Sequence, residues 1–230
     1  MKNLAIIPAR SGSKGLKDKN ILALNGHPLM YYSIKAALDS GCFDTVMVST
    51  DSKKYADIAR ECGAEVPFLR SEELSSDTAG SWDMVREVLN KYKNIGKVFD
   101  YVAILQPTSP LRDSEDIKNA YCMLLKTHVT NVVSVTEVDH PVQWCFELPE
   151  DGSMKEMAKS PYSTMRRQEL KQYYRENGAI YIVDAKKIMD YRYKMYEDKC
   201  YAYIMPREKS VDIDTRIDYI VAGTMMARRI

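Results

Sequence analysis

Two aspartates one residue apart, Asp212 and Asp214 in VDIDT, carry the sharpest chemical signal in this sequence. Alternate residues of an extended segment point the same way, so both carboxylates can face one site. Paired hard oxygen ligands suit Mg2+, which keeps several waters and bridges substrate phosphates. Asp214 has a second candidate task, capping the helix expected after it. Asp212 has no helix to cap. The complementary charge lies near the other end, in IIPARSGSKGLKDKN, Ile6 to Asn20. There an apolar strand runs into a loop carrying Arg10, Lys14, Lys17 and Lys19 among Ser11, Gly12, Ser13 and Gly15. Small residues expose backbone N–H groups and cations neutralise charge, which together make a polyphosphate site. Neither GxxxxGK[ST] nor GxGxxG is present. The chain has 33 lysines and arginines against 32 acids, so the excess in this loop is local and nothing global points to nucleic acid or an anionic membrane.

These residues need a frame, and the spacing of apolar runs supplies one. Leu4–Pro8, Thr45–Thr50, VPFLR, Tyr101–Pro107 and Asn131–Thr136 read as strands. Helical periods at Leu29–Leu38, Tyr55–Cys62, Val85–Tyr92 and Ile117–Leu125 fall between them, with Gly41, Gly63 and Gly96 as stops and Asp113 as a cap. Strand and helix alternating this way imply βαβ units and a mostly parallel sheet, whose ligands bind at the carboxyl ends of strands. The basic loop falls at such an end. From Val138 to Glu176 the pattern breaks into Pro141, Pro149, Pro161, Arg166-Arg167 and several aromatics, and an inserted extended arm or hairpin is expected there. Strands resume at Gly178–Asp184 and Tyr201–Pro206, and a last helix follows with Thr215-x-x-Asp218 as its capping box.

The length of 230 residues fits one α/β domain with an arm. Five cysteines without a CxxC pair read as free thiols of a reducing compartment. No signal-peptide pattern or membrane-length apolar run is present, and a cytoplasmic protein is expected.

Six motifs, in order, resemble the CMP-sugar synthetases that activate sialic acid and related nonulosonic acids with CTP. They are IIPARSGSKGLKDKN, VSTDS, FLRSEELSSDTAGS, LQPTSPLR, RENGAIYI and SVDIDT, and they span almost the whole chain. The resemblance implies a three-layer, Rossmann-like nucleotidyltransferase fold over residues 1–230, with residues 138–176 as a dimerisation arm and a homodimer as the assembly. It implies Mg2+ as cofactor and CTP plus a nonulosonic acid as substrates, giving CMP-sugar and pyrophosphate. Arg10, Ser13, Lys14, Gly15, Lys19 and Asn20 would then serve the nucleotide, with Arg10 and Lys19 also catalytic, while Lys17 stays a solvated charge. Arg70, Ala79 and Ser81 would belong to the cytosine-reading segment, although Asp77 or Thr78 could simply cap a helix there. Gln106, Arg167, Arg175, Asn177 and Tyr181 would contact the sugar, Arg167 from across a dimer interface, and Tyr181 fits a core strand position equally well. Asp212 and Asp214 would be the metal ligands. Asp212 is also the candidate for activating the anomeric hydroxyl, directly or through a metal-bound water.

Gln143 stands where sialic acid enzymes of that family tend to carry a lysine, which leaves N-acetylneuraminate, legionaminate and pseudaminate all open as substrates. The octulosonate synthetases, another sugar nucleotidyltransferase and an inactive nucleotide-binding module are the rival readings.

Overall fold

The computed structural model describes residues 1–12, 15–76, 78–197 and 199–228. Strand β1 (Asn3–Pro8) leads through the basic loop to the short hairpin of β2 (Ala23–Leu24) and β3 (His27–Pro28) and then to α1 (Leu29–Ser40). Next come β4 (Thr45–Ser49), α2 (Lys53–Glu61), α3 (Ser81–Asn94), β5 (Tyr101–Ile104), α4 (Ser114–Thr127) and β6 (Asn131–Glu137). A five-residue helix α5 (Lys155–Lys159), β7 (Tyr174–Asp184), β8 (Cys200–Ile204) and α6 (Arg216–Ala227) complete the chain.

The main sheet runs β4-β1-β5-β7-β6-β8. β1 pairs parallel with β4 and β5, and β6 with β8; β7 alone is antiparallel, wedged between β5 and β6. Alternation along β1 explains the layers. Ala5 and Ile7 pack with apolar residues of α1, α2 and α4, while Leu4 and Ile6 pack with Met84, Val85, Val88 and Tyr92 of α3. The three-layer arrangement follows because this central strand is apolar on both faces. A third cluster, Leu24, Leu29, Ile213 and Ala222, seats α6 on the small hairpin.

Three expectations need revision. VPFLR forms no strand: Glu65 alone bridges to Met47, and Pro67 has no N–H with which to extend the ladder. The segment expected as an arm ends earlier, because Tyr174–Glu176 already belong to β7 and pair with Glu137, Thr136 and Val135. Residues 138–173 form α5 and 3-10 turns rather than a paired hairpin, closed at the base by the Val138 N–H donating to the Tyr173 carbonyl (3.1 Å).

Both expected caps are present. Asp113 accepts from the N–H groups of Glu115 and Asp116, and Thr215 and Asp218 form a reciprocal capping box. Asp214 therefore does not cap α6, which frees it for the site. Thr215→Ala is expected to lower stability by about 1 kcal/mol, read as a lower urea midpoint at unchanged slope.

Candidate functional site

The first loop is bent into place by its own residues. Ser11 donates from both N–H and hydroxyl to Asp51 (2.8 and 2.7 Å), just beyond β4. Asn20, nearly buried, donates from its amide to the Arg10 carbonyl (3.1 Å) and closes the loop on itself. Asp18 takes a left-handed conformation (φ 53°) and accepts from the Tyr55 hydroxyl (2.9 Å). Lys17 is exposed, as its reading as a solvated charge requires. Ser13 and Lys14 lie outside the described residues.

The segment carrying the two aspartates docks directly on this loop. The Ile213 N–H donates to the Thr108 carbonyl (2.8 Å), and the Ile213 carbonyl accepts from Lys19 Nζ (2.7 Å). Lys19 Nζ also lies 3.0 Å from Asp214 Oδ1. A Cβ on Gly15 would stand 2.6 Å from the Asp214 carbonyl oxygen, so only glycine permits this approach.

Three cavities meet here. The first, about 480 Å3, is lined by Arg10, Gly15, Lys19, Asn20, Arg70, Ala79, Ser81, Gln106 and Asp214, among others. Its far wall is the start of α3, where Gly80 is the N-cap and no side chain caps the helix. That corrects the expectation for Thr78; Asp77 lies outside the described residues. Backbone N–H groups at an uncapped helix start suit an anionic or polar ligand. Arg70 is anchored to β4 through the Ser49 hydroxyl (3.0 Å) and carbonyl (2.7 Å). Burial lowers its pKa to about 10, so it remains charged at neutral pH.

The second cavity, about 820 Å3, shares Asp214 with the first and adds Asp212, Arg175, Arg207, Asp139 and Asp218. Asp212 Oδ1 is buried without a hydrogen-bond partner. Burial pushes the Asp212 carboxyl above its usual range and the charge of Asp214 adds to this, against the Thr108 hydroxyl, Lys19 and Arg175. A carboxylate with one buried oxygen left without a partner, beside a second carboxylate, fits a hard divalent cation. The third cavity, about 180 Å3, shares Ser81 and Gln106 with the first and is walled by Trp82, Ile104, Glu176, Tyr181 and Tyr196. The three spaces converge at Gly178 (φ 73°): a Cβ there would stand 2.8 Å from Gln106 Oε1 and 3.6 Å from Asp212 Oδ2.

The expected sugar residues divide. Gln106, Arg175 and Tyr181 line cavities. Asn177 does not offer its amide to a ligand. It is 1% exposed, its Oδ1 accepts from Ser134 (2.6 Å) and the Ala179 N–H (3.2 Å), and its Nδ2 donates to Ser210 (2.9 Å). Its burial makes it the pin of an irregular turn in β7. Arg167 is exposed on the arm and donates to the Asp139 carbonyl (3.0 Å), at the edge of the second cavity. Thr108 was missed; it lies in the turn after β5 and lines the first cavity with Gln106. Leu74 and Met84 supply apolar wall, for which the sequence carries no distinguishing signal.

Residues 4–221 match the family model for cytidylyltransferases. The chain belongs to the cytidylyltransferase family. It is 41% identical over 96% of its length to N-acylneuraminate cytidylyltransferase of Streptococcus agalactiae serotype V, although it spans about half (52%) of that relative. CMP-N,N'-diacetyllegionaminic acid synthase of Legionella pneumophila is 38% identical, and the match covers 98% of this chain and 97% of that one. The same fold occurs in a CMP:2-keto-3-deoxy-manno-octonic acid synthetase solved with CTP, at a TM-score of 0.74 and 17% identity over the full length of both chains. Among the described residues, no helix is long and apolar enough to cross a membrane.

Because the folded pKa of Asp212 is raised, its ionisation costs stability, a cost that grows as pH rises from the unfolded value and is complete above the folded one. Asp212→Asn is therefore expected to raise the thermal midpoint of the ligand-free protein at pH 7. Scanning calorimetry across pH should show the gain fading toward about pH 4, where the wild-type carboxyl is also protonated in the unfolded chain.

Proposed function

We propose that this chain transfers the cytidylyl group of CTP to the anomeric hydroxyl of a nonulosonic acid, giving CMP-sugar and pyrophosphate. The observation that carries the reading is the convergence at Asp214 of a cationic cavity and an acidic one, joined to the third space through Gln106. The first cavity has cations on the loop side and an open helix start opposite, which suits a nucleoside triphosphate. Arg10 and Lys19 would hold the phosphates and stabilise the pyrophosphate leaving group, with Ser81, Ala79 and Arg70 toward the base. Asp212 and Asp214 would hold Mg2+, which supplies charge neutralisation to the triphosphate when bound.

The sugar would lie across Gln106, with its carboxylate toward the forked donors of Arg175. The anomeric oxygen forms its bond to the α-phosphorus as the bond from that phosphorus to the bridging oxygen breaks. The hydroxyl proton passes to Asp212, whose carboxylate stands near Gln106 where the cavities come together at Gly178. Positioning and charge stabilisation supply most of the rate, as in phosphoryl transfer generally.

A second copy of the chain is the partner we assign to the arm. Leu148, Met154 and Tyr162 are 61, 55 and 42% exposed there, an apolar surface that supports burial against another protomer.

With CTP, Mg2+ and a panel of acylated nonulosonic acids and octulosonate, pyrophosphate release is expected to depend on a nonulosonic acid and to fail with UTP or ATP. Asp212→Ala should stay folded and lose turnover, and Lys19→Ala should raise the KM for CTP or lower kcat. Sugar-independent pyrophosphate release, or near-normal turnover by folded Asp212→Ala, would overturn the reading. Sedimentation velocity should give a dimer that Leu148→Asp combined with Met154→Asp converts to monomer.

A further inference from the structure

Glu176 sits inside RENGAIYI, has no part in the phosphate or metal chemistry, and faces the smallest of the three cavities. Its carboxylate is held from both sides. The Tyr196 hydroxyl donates to Oε1 (2.7 Å) and the Tyr181 hydroxyl to Oε2 (3.0 Å). Each phenol thereby spends its single proton on Glu176, and each carboxylate oxygen keeps a lone pair for another donor. Burial and the nearby carboxylate both push the two phenols up, so they stay protonated and keep the acid oriented. The wall they build accepts hydrogen bonds and carries negative charge, beside the apolar faces of Trp82 and Ile104. It rewards a substituent with an N–H donor and an apolar tail, and it repels an anion.

The neighbouring residue completes a polarity. Arg175 lines the cavity that holds Asp212, while Glu176 lines the one that holds Tyr181. Successive residues of an extended strand face opposite sides, so β7 presents opposite charges to two different spaces that meet at Gly178. A sugar acid crossing that point has its orientation set by charge alone.

Resting on the function proposed above, we propose that Glu176 is a specificity-determining residue. It accepts a hydrogen bond from an acylamino N–H of the sugar and turns the sugar's own carboxylate away, toward Arg175. The cavity of about 180 Å3 suits one small acyl substituent rather than a second ring.

Steady-state kinetics on the full chain test this, using the acylamino nonulosonic acid that the wild type turns over best and its analogue with a hydroxyl in place of the acylamino group. Glu176→Gln keeps the shape of the side chain and exchanges one acceptor for a donor. It is expected to raise the KM for the acylamino sugar about tenfold, to leave the KM for CTP in place, and to erase most of the preference over the hydroxyl analogue. Tyr196→Phe, at an exposed position, should shift the preference the same way by a smaller factor, and thermal midpoints of both variants establish that they are folded. Unchanged preference in folded Glu176→Gln overturns the assignment of Glu176 while leaving cytidylyl transfer intact. Absence of CMP-sugar from wild type with every sugar overturns both.

Discussion

The backbone of Ile213 is the joint on which the site depends. Its N–H is fixed by the loop after β5 and its carbonyl by Lys19 of the loop after β1, while its side chain is fully buried. Two aspartates flank it, Asp212 half-buried and Asp214 exposed on the wall of one cavity, so fixing a single peptide sets both carboxylates at once. Hydrogen bonds to backbone groups suit this task because they constrain position without titrating. Gly15 serves the same joint by removing the Cβ that would push the two segments apart.

The ligand-free site balances its charges internally. Lys19 is only 13% exposed, and its ammonium neutralises the Asp212/Asp214 pair that would otherwise face its own repulsion. On the proposed reading a triphosphate competes with Asp214 for Lys19, and a divalent cation replaces the ammonium at the carboxylates. Nucleotide and metal therefore favour each other's binding, since each releases what the other needs. The half-buried Arg70 and the uncapped start of α3 stay positive throughout and have no such conflict.

The other half of the site depends on an irregularity. Between Val133 and Val135 one residue of β6 opposes four of β7, with Ser134 bonded to the Asn177 amide and to both the N–H and carbonyl of Ile180. This bulge swings Asn177 inward, lets Gly178 adopt its positive φ, and brings Glu176 against Tyr181 five residues on. Bulges commonly re-aim side chains beside binding sites, and here one turns Asn177 away from the cavities and closes Tyr181 onto Glu176.

Local chemistry in the sequence determined a great deal: the buried strands, the caps at Asp113 and Thr215, the cationic loop and the aspartate pair. Each of these is fixed by residues within a few positions of one another, so periodicity and capping preference are enough to read them. VPFLR misled because a β-rich run becomes a strand only where a neighbour can complete the ladder, and Pro67 prevents that. Asn177 was expected at the ligand and is buried instead, because simple alternation holds only along a regular strand, and the bulge that breaks it is made by Ser134, 43 residues away in sequence. That Asp214 faces Lys19 rather than capping α6 was likewise decided only when segments 195 residues apart came into contact. Such choices rest on which distant groups satisfy buried polar atoms, and only the tertiary structure supplies those partners.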